Sequence, residues 1–241
     1  MEIPKDWLSL LSPVCDMDFC LAHLVLSDEY YCKFYKEQKA KGRYVIMDNS
    51  MHELGAPMPP HELLEAVKRV EPSVVIAPDQ LKQQRETLKW FFETLEVMPG
   101  TQRIGAVIQG VTNAERAEFF MKVHKHCDML CFPFREPRLE WFEDLVQKIP
   151  NYTAWPPRLH LMGVNEFAEL GAWRDAFEKF GVPHRRTSVD TGKPIKYGLQ
   201  GKRFTGNELT LRGAGKLESQ KVDSSKILDV FYNILFLRKH L

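Results

Sequence analysis

Asp48, Asp79, Gln109 and Asp190 each stand where a short apolar run stops: Tyr44-Val-Ile-Met47, Ser73-Val-Val-Ile-Ala77, Arg103 to Ile108, and Thr187-Ser-Val189. Glycines stand in comparable places, Gly110 after Gln109 and Gly163 after Leu159-His-Leu-Met162. A carboxylate so placed could attack a sugar carbon or move a proton. The residue types also suit a purine. One carboxylate accepts adjacent ring and exocyclic N–H groups, and a Gln amide or a backbone N–H beside glycine answers a carbonyl oxygen. Asp79, Gln109 and the Gly163 backbone can form that polar edge. Turn chemistry is the plainer reading of each residue alone, because Asp before Asn-Ser or Thr-Gly is common in turns.

These residues act together only if the apolar runs are parallel strands whose carboxyl ends share one mouth. The chain reads that way. Strands are expected over Phe19 to Leu26, 44–47, 73–77, 103–108, Asp128 to Phe132, 159–162 and 187–189. Amphipathic helices alternate with them. One opens at Ser27 and stops at Gly42, one carries Leu63, Leu64, Val67 and Val70, and one spans Leu81 to Val97. The others begin at Thr112, whose Glu115 has capping-box spacing, and cover Leu139 to Ile149, Asn165 to Phe180 and Val222 to Leu237. Alternation of this kind predicts an α/β fold, an irregular (β/α)8 TIM-like barrel with a C-terminal helix, as one domain over 1–241. Trp7 to Leu11 is the candidate eighth strand. Gly198 to Gly215 is Gly-rich, basic and without clear period. A doubly wound open sheet is the alternative architecture.

Composition narrows the class. Lys plus Arg is 33 against 32 Asp plus Glu, so nucleic acid would be held by a local basic face rather than by global charge. The candidates are Arg185, Arg186, Lys193 and Lys196, then Lys202, Arg203, Arg212 and Lys216. Lys36, Lys39, Lys41 and Arg43 read as a solvated helix end. Five cysteines without paired spacing point to reduced thiols. The start lacks a signal-peptide pattern, and no apolar run approaches the ~20 residues needed to span a bilayer. A soluble, cytoplasmic protein is expected. His124, His126 and Cys127 are close in sequence, but helical i and i+2 positions face apart, so no metal site is read there. His52 and Glu53 could line the pocket, or Ser50 to Glu53 could form a capping box. Phe132, Phe134 and Met162 are candidates to sandwich a base.

Val45-Ile-Met-Asp-Asn-Ser50, Ile76-Ala-Pro-Asp79, Gly105-Ala-Val-Ile-Gln-Gly110, Leu161-Met-Gly-Val164 and Ser188-Val-Asp190 occur in the order of motifs in tRNA-guanine transglycosylases, which the chain resembles from about residue 44 to 196. That family is a (β/α)8 barrel exchanging guanine for a 7-deazaguanine. The chain departs from the tRNA enzymes in three respects. It has no Cys after Cys131, so their zinc site is absent. Their double-glycine loop after the first Asp is replaced by Asn49-Ser-Met-His-Glu-Leu-Gly55. Their Pro-Thr-Arg after the nucleophile becomes Thr191-Gly-Lys-Pro194. It looks more like the short, zinc-less branch from phages and bacterial modification clusters, which inserts 7-deazaguanines into DNA.

The resemblance implies two displacements at the anomeric carbon. Asp190 would be the nucleophile, and Asp48 the donor and then acceptor of the base's proton. Asp79, Gln109, Gly110, Met162 and Gly163 would hold the base. The partners would be duplex DNA with a flipped guanosine and a free 7-deazaguanine, with no metal or other cofactor. tRNA is the less favoured substrate. A barrel hydrolase acting on a nucleoside or phosphosugar, and a non-enzymatic nucleic-acid-binding barrel, are the competing classes.

Overall fold

The computed structural model describes residues 3–134, 138–149, 155–164, 167–182, 187–205 and 223–240. Arg185, Arg186, Arg212 and Lys216 of the expected basic face lie outside the described residues. Seven parallel strands form one sheet in chain order: β1 (Asp18–Leu21), β2 (Val45–Asp48), β3 (Val74–Ile76), β4 (Ile104–Val107), β5 (Met129–Phe132), β6 (Arg158–Leu161) and β7 (Thr187–Val189). Helix α1 (Leu8–Leu11) precedes the sheet. Then α2 (Ala22–Ser27) and α3 (Glu29–Ala40) follow β1, α4 (Met51–Leu54) and α5 (Pro60–Val70) follow β2, and α6 (Gln84–Val97) follows β3. Next come α7 (Asn113–Val123), α8 (Arg138–Lys148) and α9 (Phe167–Phe180) after β4, β5 and β6, and α10 (Lys193–Leu199) and α11 (Ile227–His240) after β7.

The expected α/β barrel-like fold with a C-terminal helix is present, as a curled parallel sheet. Curling brings Phe19 of β1 onto His160 of β6, with ring centres 6.0 Å apart. No ladder joins β7 to β1 among the described residues. Trp7 to Leu11 is not the eighth strand. It is a 3-10 turn running into α1, because Trp7, Leu8 and Leu11 fall at helical spacing and bury that face.

Alternation along the strands sorts the core into two layers. Phe19, Leu21, Ile46, Val74, Ile76, Val107, Met129 and Cys131 pack together inside the curl. Their neighbours Cys20, Val45, Met47, Val75, Ala106, Leu130 and Phe132 face the helices. Phe132 packs on Trp141 and Trp173 in that outer layer, so it is not available to sandwich a ligand.

Local chemistry explains most boundaries. The Thr112 hydroxyl and the Glu115 carboxylate form the expected reciprocal cap of α7. The apolar run after Phe19 turns helical at Ala22, and Asp28 rather than Ser27 caps α3, accepting from Tyr31 N at 3.0 Å. Ser50 makes no capping box, since it adopts a left-handed φ of 62° without side-chain capping. Helix α10 was not among the expected elements, and its end overlaps the start of the Gly198 to Gly215 stretch. Gly198 is there because α10 crosses α11 closely, and a Cβ would lie 2.3 Å from Val230 Cγ2. Asn233 of α11 ties the two together, accepting from Phe204 N and donating to the Pro194 and Lys202 carbonyls. No helix among the described residues is long and apolar enough to cross a membrane.

Candidate functional site

Parallel order puts the carboxyl ends of β2, β3, β4, β6 and β7 at one end of the curl, and the polar residues expected there collect at it. Asp48 is the last, inward-facing residue of β2. The chain then turns sharply: Asn49 Oδ1 accepts from Met51 N, and strained Ser50 directs its N–H to Asp48 Oδ2 at 2.8 Å. A left-handed residue is what glycine supplies without strain, so Ser50 at φ 62° is held there by the turn. Asn49 reaches across to β3, donating to Ala77 O at 2.7 Å and to Asp79 Oδ1 at 2.9 Å. Gln109 donates to Asp79 Oδ2 at 2.8 Å and accepts from Lys82 N at 2.8 Å. Asp79 and Gln109 thus form one buried polar edge. Each Asp79 oxygen keeps a lone pair, and the Gln109 amide keeps one N–H.

Asp190 follows β7. Its Oδ1 accepts from Gly163 N at 2.9 Å and lies 3.2 Å from His160 Nε2. Gly163 is left-handed at φ 61°, and a Cβ there would stand 3.1 Å from Phe134 Cβ. Its N–H is therefore turned to Asp190 rather than left for a base carbonyl. Gly110 has a packing role, since a Cβ would press on Glu115 and Arg116 at the start of α7 at 3.0–3.2 Å. Met162 is half-buried against the inner layer, and Phe134 is 37% exposed beside Gly163. Both stay available to contact a planar ligand.

The three carboxylates are in different electrostatic states. Burial, then the Glu53 carboxylate, push Asp48 well above the usual carboxylate range, against the pull of the Ser50 N–H; Asp79 and Asp190 push it further. Burial also raises Asp79, while the Asn49 and Gln109 amides pull it back. Burial would raise Asp190 too, but the facing His160 and the Gly163 N–H outweigh it and hold the group below its ordinary value. Cys131, fully buried below them, is pushed up by burial, then by Cys127 and by Asp48, Asp79 and Asp190. The acids are near enough to feel one another, yet no group of three His, Cys, Asp or Glu among the described residues could hold a metal ion.

Several residues of this site escaped notice in the sequence. His160 lies inside an apolar run, and its signal was a polar side chain at an inward strand position. Arg138 is buried and donates to the Phe132 and Met162 carbonyls while pairing with Glu169, so it fixes the ends of β5 and β6. Asn49 and Ser50 shape the turn. The basic residues are less uniform than expected. The Lys193 ammonium is buried, Lys196 is half-buried, and Lys202 and Arg203 are exposed, with Arg203 paired to Asp229 at 2.7 Å. Arg43 is not part of a solvated cluster but a partner of Asp18. A cavity of about 390 Å³ lies between β1, β7, α9 and α11 and runs along β7, lined by Met17, Tyr44, Arg158, Trp173, Ser188 and Thr191 among others.

Fold and site define an α/β barrel-like protein with an acidic mouth. No family model and no curated protein matches the chain. Among solved structures it is similar to N-acetylneuraminate lyase from Mycoplasma synoviae, with 14% identity and a TM-score of 0.50, over 82% of this chain and 66% of that one. The chain thus spans just under two thirds of that lyase's length. It is also similar to the YdjI aldolase from Escherichia coli K12, with 10% identity and a TM-score of 0.43, over 98% of this chain and 95% of that one. The first likeness carries the TIM-barrel fold and no activity; the second is too distant to carry an argument.

Proposed function

We propose that the protein is a base-exchange transglycosylase that replaces guanine in DNA with a 7-deazaguanine through a covalent Asp190–glycosyl intermediate. The observation that carries this reading is the pair of acids at one mouth, Asp48 buried and Asp190 half-buried, with opposite tendencies, Asp48 keeping its proton to higher pH and Asp190 losing it at lower pH than an ordinary carboxyl. That division suits a general acid and a nucleophile. The Asp79–Gln109 edge between them offers carbonyl-type acceptors and an N–H for a purine. The order of the short motifs along the chain supports guanine in particular. Leu54 at the end of α4, and Leu81, Val111 and Phe134 in the loops after β3, β4 and β5, are all exposed and give the mouth apolar side chains against which an extruded base or its gap could pack. Of the expected cations, Lys202 is exposed for phosphate, while Arg203 is exposed but paired to Asp229.

In the proposed cycle Asp190 attacks C1′ of the flipped nucleoside while the C1′–N9 bond breaks. Its electron pair goes to guanine, which takes the Asp48 proton. The incoming base gives its N9 proton to Asp48 and attacks C1′, and the C1′–oxygen pair returns to Asp190.

Labelled guanine offered with duplex DNA, with tRNA and with neither tests the reading. Incorporation into DNA is expected, and Asp190→Ala should abolish both exchange and trapping of a covalent adduct while the fold persists. Incorporation into tRNA alone would move the substrate. Exchange retained in full by Asp190→Ala would overturn the mechanism.

A further inference from the structure

We infer that His160, oriented by Ser188, is a positioning residue that selects which oxygen of Asp190 attacks and stabilises that carboxylate when it leaves; this rests on the base-exchange reading above. His160 occupies an inward position of β6 and its side chain is wholly buried. Its neighbours in the same layer, Ile76, Val107 and Cys131, are apolar, and an apolar residue would fill the space at lower desolvation cost. Instead the ring is held on three sides. Phe19 stacks on it with planes 19° apart. Ser188, its register partner on β7, places Oγ 2.9 Å from Nδ1. Nε2 faces Asp190 Oδ1 at 3.2 Å.

The distances favour one arrangement of protons. Ser188 Oγ is 2.9 Å from the ring but 3.4 Å from its other acceptor, the Leu159 carbonyl. A hydroxyl donating to Nδ1 leaves the ring proton on Nε2, aimed at Asp190. Oδ1 then accepts the Gly163 N–H and faces His160 Nε2 at 3.2 Å, a contact too bent for a full hydrogen bond until the carboxylate shifts, while Oδ2 has no hydrogen-bond partner among the described residues. Oδ2 is the free nucleophile. When it bonds to C1′, Oδ1 becomes the ester carbonyl, still facing both donors. In the second displacement the C1′–Oδ2 pair returns to the carboxylate, and charge delocalised onto Oδ1 meets donors already in place. His160 touches neither base nor sugar in this scheme and acts through Asp190.

Two replacements separate orientation from packing. His160→Phe keeps a ring against Phe19 and loses the donor; His160→Gln loses the ring and keeps an N–H. Ser188→Ala is the milder third variant, which leaves the inner layer filled. In His160→Phe the second displacement should slow about 10²-fold, the loss expected for one donor to a developing oxyanion. Adduct should accumulate, with KM for the free base unchanged. His160→Gln should recover part of that loss, and Ser188→Ala should fall between His160→Gln and the wild type. Asp48 of β2, Cys131 of β5 and His160 of β6 are the titratable groups identified around Asp190. A ¹³C-carboxyl titration of Asp190, with Asp190→Asn to identify the signal, should therefore move upward in His160→Phe. If His160→Phe exchanges as well as His160→Gln, or if Asp190 titrates alike in His160→Phe and the wild type, the inference is overturned. A wild type that exchanges nothing would instead remove the base-exchange reading, while the titration, which needs no substrate, still decides the role of His160.

Discussion

Asp18 and Asp48 belong to neighbouring strands, stand at opposite ends of the sheet, and are 1% and 7% exposed. At the foot, Asp18 accepts from Arg43 Nε at 2.9 Å and from Ser12 Oγ at 2.6 Å, and Arg43 also binds the Ser12 and Cys15 carbonyls. That arrangement pairs a buried charge and ties the segment before β1 to the loop before β2. At the mouth, Asp48 has one backbone N–H and no ion pair among the described residues, and Glu53 faces it with like charge. A carboxylate with a guanidinium holds a structure together. One left among other acids keeps a proton for use.

Replacing each acid separates the two ends most sharply. Asp48→Asn should lower exchange about 10²–10⁴-fold, the usual weight of a general acid, without lowering the urea midpoint. Asp18→Ala should cost about 3–5 kcal/mol because it strands the Arg43 charge, while the folded fraction exchanges at the wild-type rate. Equal losses of stability in the two variants would erase the contrast.

The contrast also has a pH signature. The proposed cycle needs Asp190 ionised and Asp48 protonated, so on that reading the rate should fall on the acid side through the depressed Asp190 value and on the alkaline side through the raised Asp48 value. Asp48→Asn should remove the alkaline limb. Stability carries the opposite information. A raised folded-state value means that the native state binds more protons than the unfolded chain, so the Asp48 contribution is complete below the ordinary carboxylate range and is lost as pH rises towards the raised value. The stability advantage of Asp48→Asn over the wild type should therefore grow across that interval and vanish below it, which unfolding at a series of pH values would measure.

The smallest expected effect compares two left-handed glycines. Gly42→Ala, at φ 81° with open space around it, should cost about 1–2 kcal/mol and leave exchange alone. Gly163→Ala carries the same strain plus contact with Phe134, and should also weaken exchange by turning its N–H away from Asp190.

Much of this was legible in the chain. Seven strands could be read because short apolar runs alternate with helical periods, five of them stopping at Asp, Gln or Gly, and the α7 cap because Thr112 and Glu115 satisfy each other locally. The strand-end acids were legible for the same reason. What was not legible depends on contacts distant in sequence. Helix α10 is held by α11 through Gly198 and Asn233, which no local propensity announces. Trp7 to Leu11 has the apolar content of either element, and burial of Trp7, Leu8 and Leu11 on one side settled it as helix. The turn of the Gly163 N–H towards Asp190 needed β6 and β7 in register.

The stack between Phe19 and His160 puts the first strand of the sheet behind the ring that faces an acid 171 positions beyond Phe19. In the proposed cycle the nucleophile is poised only once β6 and β7 close against β1, and a molecule that frays at either edge of the sheet loses it again. Turnover and native packing should accordingly disappear together in denaturant, as one cooperative event.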